Sequence, residues 1–369
     1  MSKWRVCYFI ERWSSGGIEA FIANMLTAAA PLSVSVDIVA ESLEYSIYTE
    51  RLQALGARFF ELSGRLRSPK NKRLFRELLL SRGYSAVHLH IFHGMSLEYA
   101  KIARRVGIKT VIAHCHGAGL RKSPTRPVKM LLHRLGRLLF GKYATERIAC
   151  SRAAGEFLFA KRDFRIINNG IKTDAFRFDP ERRSLVRDEL SLNGSPVLGH
   201  IGRLAPEKNH EFLLLVFREY KRLHENAKFI IIGDGELEGK IKERARELAI
   251  YDDICFIGLT DRVPELLFAM DGFIFPSFSE GLGIAAIEAV ATGLPLLTSL
   301  GVPSEVRFTE RSAALPLGDA AAWAREIDRL IAIPKDRERG ADTVKAAGFD
   351  SCDAARELMS LYADGAPDA

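Results

Sequence analysis

Short apolar runs alternate along this chain with longer stretches in which apolar residues return every three or four positions. In the first half the short runs fall at Arg5–Ile10, Val34–Val39, Ala57–Phe60, Ala86–His90, Thr110–His114, Arg147–Cys150 and Arg165–Ile167. Helical spacing covers Ile18–Ala30, Ser46–Leu55, Asn71–Ser81, Met95–Val106, Pro127–Phe140 and Ala153–Leu158. Short apolar runs predict buried strands, the periodic stretches predict amphipathic helices, and their alternation predicts βαβ units on a parallel sheet. A Gly/Pro/Asn/Ser cluster, Ser191–Pro196, then reads as a linker. Beyond it strands are expected at Val197–Ile201, Lys228–Ile232, Ile254–Ile257, Gly272–Phe275 and Leu294–Thr298. Helices are expected at Glu211–His224, Leu237–Leu248, Val263–Met270 and Ile284–Ala291. The pattern thus predicts two doubly wound α/β domains, residues 1–190 and 191–348. A final helix within 349–369, at Ser351–Tyr362, is a candidate to pack back on the first domain. In such sheets ligands bind beyond the C-terminal ends of the strands.

Composition supports this reading. A chain of 369 residues exceeds one ordinary core, and 47% hydrophobic with 27% charged residues is globular. The charged N-terminus, MSKWRVCYFIERW, is neither leader nor membrane span, so a cytoplasmic protein is expected. Five cysteines (Cys7, Cys115, Cys150, Cys255, Cys352), odd in number and without a CxxC, fit a reducing compartment. Charge changes the picture more. Residues 1–190 carry 33 Lys+Arg against 17 Asp+Glu, and the remainder 20 against 29, so the net of +7 hides a basic half and an acidic half. The basic half is expected to face something anionic. Nucleic acid is not expected, because no RNP, zinc-finger or helix-turn-helix pattern is present and aromatics do not interleave with the cations.

Several stretches carry candidate chemistry. In "RWSSGGIEAFIANM", Gly16 and Gly17 sit at a strand-to-helix turn, where glycine lets the backbone approach a ligand and the helix offers free N–H groups. A plain tight turn explains the same residues, and GxGxxG is absent. In "HIGRLAPEKNHEF", Arg203 and Lys208 lie in a loop after a strand, where a guanidinium fork and an ammonium can both reach one diphosphate. "FIFPSFSEGLGIAAIEAVATGLPLL" puts Glu280 in a loop, the N–H groups of Gly281, Leu282, Gly283 and Ile284 at a helix start, and Glu288 about one turn inside. The helix is apolar around Glu288, so that carboxylate needs a partner. Five histidines cluster in "VHLHIFHG" and "VIAHCHGAG". Without HExxH or an evident third ligand no metal is expected; His116 reads as a strand-end group lining the site and His114 as buried. Two basic stretches stand out, Gly64–Leu78 and Arg121–Tyr143. In the second, Val128, Leu131, Leu132, Leu135, Leu138 and Leu139 are bordered by Lys129, Arg134, Arg137 and Lys142. That pattern fits either a helix on an anionic membrane surface or a core-facing helix with a solvated basic face.

Together "GRLAPEKN", "IIGDGELEGKIK", "CFIGLTDRVPELLFAMDGFIFPS" and "SEGLGIAAIEAVATGLPLL" resemble the retaining glycosyltransferases of the GT4 class. Gly16-Gly17, "AHCHG", "ACSRAAGEFLF" and "IINNGIKTDAF" extend the resemblance into the first half, most like enzymes of bacterial capsular and exopolysaccharide biosynthesis. The resemblance implies the GT-B fold, two Rossmann-like doubly wound parallel-sheet domains facing a central cleft. It implies a nucleotide-sugar donor, UDP-linked by expectation, and a lipid-linked or glycan acceptor. By resemblance Arg203 and Lys208 hold the diphosphate, Glu280 the donor sugar and Glu288 the ribose, with help from the amides of Gly281–Ile284. Gly258 and Leu259 border the base, Gly16 and Gly17 close over the phosphates, and His116, or His114 as runner-up, stands by the transferring sugar. No cofactor and no metal are implied, in keeping with the lack of a DxD-like pair. A nucleotide-sugar epimerase and a catalytically inactive nucleotide-sugar-binding scaffold are the rival readings.

Overall fold

The computed structural model describes residues 4–30, 34–64, 67–120, 124–334 and 336–363. They divide into two compact units, one spanning residues 1–170 with 351–369 and the other residues 171–350. The first is built on strands β1 (Trp4–Trp13), β2 (Val34–Leu43), β3 (Arg58–Glu61), β4 (Ala86–Ile91), β5 (Thr110–Cys115), β6 (Glu146–Ala149) and β7 (Arg165–Ile166). These form one parallel sheet in the order β3-β2-β1-β4-β5-β6-β7. Helices α1 (Gly17–Ala29), α2 (Thr49–Ala54), α3 (Pro69–Arg82), α4 (Glu98–Arg105), α5 (Arg126–Phe140) and α6 (Arg152–Phe159) make the crossovers. Val6 to Ile10 of β1 are all buried, as a central strand covered on both faces must be.

The second unit opens with α7 (Pro180–Glu189) and continues β8 (Val197–Ile201), α8 (His210–Leu223), β9 (Lys228–Ile232), α9 (Glu238–Glu247) and β10 (Ile254–Gly258). It completes with α10 (Val263–Ala269), β11 (Gly272–Phe275), α11 (Ile284–Ala291), β12 (Leu296–Ser299), β13 (Ser312–Leu315), α12 (Ala320–Ile331) and α13 (Gly340–Ala346). Its six parallel strands run β10-β9-β8-β11-β12-β13, so both sheets are doubly wound as expected. The core joins Phe217 and Phe229 to Leu213, Ile231, Ile274, Trp323 and Ile327.

The units do not divide at residue 190. Helix α7, capped by the Asp179 side chain, belongs to the second unit because Arg183 and Arg187 both reach Asp271, at 2.6 and 3.4 Å. Arg187 also binds the Ala269 carbonyl, so the expected linker at Ser191–Pro196 is a turn inside that unit. The strand and helices β13, α12 and α13 have no counterpart in the periodicity reading. Strand β13 is four half-buried residues at a sheet edge, too short for alternation to register. Helix α12 was legible: Asp319 caps it, and Trp323, Ile327 and Leu330 return at helical spacing.

The last helix, α14 (Ser351–Ala363), joins the first unit. It packs on α1 and buries Tyr362, whose hydroxyl lies 2.8 Å from that of Tyr8 and 2.6 Å from His88 Nδ1. Helix α5 departs from the core-facing alternative. It buries His133, Gly136 and Phe140, while Val128, Leu131, Leu132, Leu135, Leu138 and Leu139 are exposed, Leu131 to 67% and Leu138 to 71%. Gly136 allows the backbone of Gly94 to approach so closely that a Cβ there would overlap it. His133 Nδ1 accepts the Gly94 N–H at 3.0 Å, fixing which face turns inward. Arg121–Ser123 of the basic stretch lie outside the described residues.

Candidate active site

The second unit gathers most of the candidate residues beyond the C-terminal ends of β8, β10 and β11. A 3-10 turn at Pro206–Lys208 carries Lys208, and the loop after β11 carries Glu280. The two loops are tied by Phe278 N–H to the Glu207 carbonyl (2.8 Å) and by the Asn209 side chain to the Pro276 carbonyl (3.3 Å). These ties bring Lys208 Nζ within 2.5 Å of Glu280 Oε1, with side chains only 17% and 13% exposed. The ammonium also stands 5.1 Å from the Phe275 ring centroid, where the π face attracts it. The sequence expected these groups in one site, and their ion pair was not expected. Arg203 is half-buried two residues past β8.

The Glu280 loop leads directly into α11. Gly283 occupies the N-cap at φ +94°, a left-handed conformation that favours glycine and turns the chain sharply into the helix. The Glu280 N–H is committed to the Gly301 carbonyl at 3.1 Å. Among the described residues no partner takes the N–H of Leu282, Gly283 or Ile284, so these amides and the positive end of the helix dipole offer an anion site. Glu288 follows on the same helix, between buried Ile287 and Ala289. It is half-buried, no described side chain or amide pairs its carboxyl, and desolvation pushes its pKa up to about 7. Gly258 ends β10 at φ +75°, and its carbonyl accepts the Gly233 N–H, leaving Leu259 half-exposed at the edge of the sheet. Sequence reasoning missed His200 and His210, whose rings meet edge to face beneath Lys208; burial keeps both neutral.

In the first unit the double glycine is mainly a tight turn. Glu19, buried and with its pKa raised by desolvation, reaches back to the N–H groups of Ser14 (3.0 Å) and Gly16 (3.1 Å). A Cβ on Gly16 would come 2.8 Å from Glu19 Oε2, so a side chain there would push the Glu19 carboxylate from its place in the turn. Of the pair, only Gly17 keeps an amide with no described partner.

The histidines line one face of two adjacent strands, with His90 in register with His114. His88 Nε2 lies 3.2 Å from His114 Nδ1, and His90 Nδ1 lies 3.0 Å from His116 Nε2. His114 is fully buried, and His116 stands half-buried just past β5 with its Nδ1 buried and its Nε2 committed to His90. The third ligand that the sequence did not reveal does exist, since one nitrogen from each of His88, His90 and His114 falls within 4.8 Å of the others. The rings, however, stack: His88 lies 4.2 Å and 23° from His90, and 5.3 Å and 12° from His114. Parallel rings direct their lone pairs side by side rather than at one point, and one of those lone-pair sites is already hydrogen-bonded. The arrangement suits a neutral hydrogen-bonded ladder better than a tetrahedral ion. Burial holds His116 neutral, with its pKa lowered to about 3.

Residues 182–346 match the family described as "Glycosyl transferases group 1", and residues 15–175 match "Glycosyltransferase Family 4". A Bacillus subtilis protein described as "Putative glycosyltransferase EpsF" is 28% identical over 98% of this chain and 97% of its own. An Escherichia coli UDP-Gal:alpha-D-GlcNAc-diphosphoundecaprenol alpha-1,3-galactosyltransferase is 29% identical over 60% of this chain and 59% of its own. Among solved structures, a glycosyltransferase from Rickettsia africae superposes with a TM-score of 0.79 at 17% identity, covering 100% of both chains. Anabaena HepE in complex with UDP-glucose gives a TM-score of 0.79 at 18% identity, covering 98% of this chain and 100% of its own.

Proposed function

Because this chain belongs to the GT4 class of glycosyltransferases and has the GT-B fold, we propose that it moves a sugar from a nucleotide-sugar donor, a UDP-sugar, to a lipid-linked or glycan acceptor with retention. Surface polysaccharide assembly is the proposed setting. One observation carries the reading: Glu280, three open amides and a partnerless Glu288 follow one another along one loop and helix, and Lys208 is brought to Glu280 from a neighbouring loop. The solved complex of HepE with UDP-glucose and the diphosphoundecaprenol acceptor in the name of the Escherichia coli relative support donor and acceptor class.

The chemistry follows from charge. Breaking the anomeric C–O bond leaves a diphosphate anion and an oxocarbenium-like sugar, so the site must stabilise the leaving group. Lys208 and Arg203 supply cations, and the amides of Leu282, Gly283 and Ile284 supply a preorganised dipole. Lys208 is released from Glu280 as phosphate arrives, which frees the Glu280 carboxylate for sugar hydroxyls. Glu288 ionises as ribose hydroxyls donate to it. The front-face course that the family implies completes the step, the departing phosphate taking the acceptor's proton on the same face. These groups need no divalent ion, so EDTA is expected to leave turnover unchanged.

The test is a panel of nucleotide sugars screened by thermal shift and then by turnover with an acceptor. Binding stabilises the fold in proportion to occupancy. Conversion of UDP-GlcNAc without an acceptor would identify an epimerase instead, and binding without any turnover would identify a scaffold.

A peripheral position at the inner face of the cell membrane belongs to the same proposal. Its support is α5, whose exposed leucines are flanked by exposed Arg126, Lys129, Arg134 and Lys142. Among the described residues no helix is long and apolar enough to cross a membrane. Binding to anionic liposomes at low salt, and loss of that binding on neutral ones, is the expected result.

A further inference from the structure

Two carboxyl groups are buried near the C-terminal end of the first sheet. Glu11, in the last turn of pleat of β1, is 7% exposed, and Glu41, near the end of β2, is 3% exposed. Glu41 is built into the protein. Its Oε1 accepts the Arg67 N–H at 2.6 Å, the Asn71 side-chain amide at 3.1 Å and the Tyr99 hydroxyl at 2.5 Å, and its Oε2 is sealed from solvent. Glu11 is held by one oxygen alone. Ser96, in the 3-10 turn Gly94–Leu97 after β4, donates to Glu11 Oε1. Among the described residues Glu11 Oε2 has no partner, and unlike Glu41 Oε2 it is not sealed.

The cation beside this pair comes from the basic stretch Gly64–Leu78, which the donor site leaves unused. Arg67 takes a left-handed backbone, φ +58°, fastened by the bond from its N–H to Glu41. Its guanidinium is aimed by His93. His93 Nδ1 accepts the Met95 N–H at 3.2 Å, so it also accepts from Arg67 Nη1, at 3.0 Å, while its Nε2–H goes to the Lys129 carbonyl of α5. The remaining guanidinium N–H groups have no partner among the described residues. Burial raises the Glu11 pKa, and the Arg67 charge is the largest effect opposing it, yet no ion pair joins the two. They are near enough to feel each other and too far apart to bond. Glu11 and Ser96 flank the boundary between β1 and β4, where the strand order reverses and doubly wound sheets bind ligands.

Charge decides what fits between them. Two carboxyls disfavour a phosphate, and the guanidinium disfavours a cation. A neutral hydroxyl both accepts from Arg67 and donates to Glu11 Oε2. We propose that Glu11 and Arg67 bind a hydroxyl of the acceptor sugar, at a site carried wholly by the first unit. Ser96 and His93 are positioning residues, the first for the carboxyl and the second for the guanidinium. The assignment rests on the reading of the acceptor as a glycan, and it supplies acceptor residues where that reading names none.

Methyl glycosides of glucose, galactose, mannose and N-acetylglucosamine probe the site, since they carry sugar hydroxyls without a lipid tail that could seat on α5. Saturation-transfer NMR on the full chain reads their binding without turnover. At least one is expected to bind the native chain, with affinity lowered roughly tenfold or more in Glu11→Gln and in Arg67→Ala, the scale of a hydrogen bond to a charged group. Glu11→Gln keeps the acceptor for Ser96 and the shape of the side chain. Glu41→Gln alters the same cluster at a sealed oxygen and is expected to keep the glycoside. The thermal shift with UDP is expected to be the same in the native chain and every variant. Equal glycoside affinity in the native chain, Glu11→Gln and Arg67→Ala would overturn the proposal. So would an equal loss in Glu41→Gln, the mark of a packing effect, or no binding of any glycoside, which would leave water alone between the two charges. Loss of the UDP shift in Arg67→Ala would assign that guanidinium to the donor and overturn it as well. A native chain that ignores UDP would instead defeat the donor reading and leave the glycoside result standing. In turnover, Glu11→Gln raises the acceptor KM by the same factor and leaves the donor KM unchanged, a split that a merely structural role would not produce.

Discussion

Glu288 is the residue whose chemistry is most exposed to test. Its folded pKa, about 7, lies above the ordinary carboxyl value because burial disfavours the anion and no cation answers it. The sign follows from linkage: between about pH 4.5 and 7 the folded chain holds a proton that the unfolded chain has lost. Stability therefore falls as pH rises through that window, and Glu288→Gln flattens the curve by about 1–2 kcal/mol, less than the full shift because the side chain is part-exposed. Urea melts at pH 5 and pH 8 measure it. If ribose hydroxyls donate to the carboxylate, UDP affinity weakens as pH drops below about 7 in the native chain. In Glu288→Gln only the titration of the phosphates themselves remains, and calorimetry in two buffers separates the two. Lys208→Ala removes the cation proposed to hold the leaving diphosphate and leaves Glu280 half-buried without its counter-ion. Its turnover is expected to drop by about a hundredfold or more, the scale of losing one preorganised donor to a transition-state anion. The apolar neighbours of Glu288 made it legible as a group in need of a partner. The Lys208–Glu280 pair was not legible, because only the Phe278–Glu207 and Asn209–Pro276 ties between two distant loops bring it about.

At the scale of elements, α5 shows why periodicity alone could not choose a face. Its leucines define one stripe, and His133, Gly136 and Phe140 define another at the same spacing. The second turns inward because Gly136 alone permits the contact with Gly94, a packing fact that hydropathy does not encode. Gly136→Ala drives a methyl into the Gly94 backbone and is expected to cost about 1–3 kcal/mol in a denaturant melt. Leu131→Ser with Leu138→Ser, on the outer stripe, is expected to leave stability within about 0.5 kcal/mol while abolishing liposome binding. The reverse pattern, stability lost and binding kept, would contradict the membrane assignment. Turn chemistry was more legible than packing. The start of α11 was visible in the sequence because Gly283 has a conformational reason to precede a helix, and α7 was missed although Asp179-Pro180 announces it.

At the scale of the whole molecule, strand and helix alternation revealed two parallel sheets, because buried strands leave nearly continuous apolar runs. The boundary between units was misread by some 20 residues, 190 against 170, because a Gly/Pro-rich turn and a linker look alike in sequence. What decides it is the Arg183 and Arg187 clamp on Asp271, a contact across more than 80 positions of chain. The return of α14 to the first unit carries its own consequence. Truncation after Asp350 removes Tyr362 from a fully buried position against Tyr8 and His88, so the truncated chain is expected to melt earlier and to expose the histidine layer. The central claim, that the second unit's loop and helix form a donor site serving retained transfer, is tested most directly by one assay. The donor identified by thermal shift is turned over with an acceptor, and the anomeric configuration of the product is read by NMR for the native chain, Lys208→Ala and Glu288→Ala. The account predicts a product with the donor's configuration and turnover that collapses in both variants. An inverted product, or full activity in either variant, would contradict it.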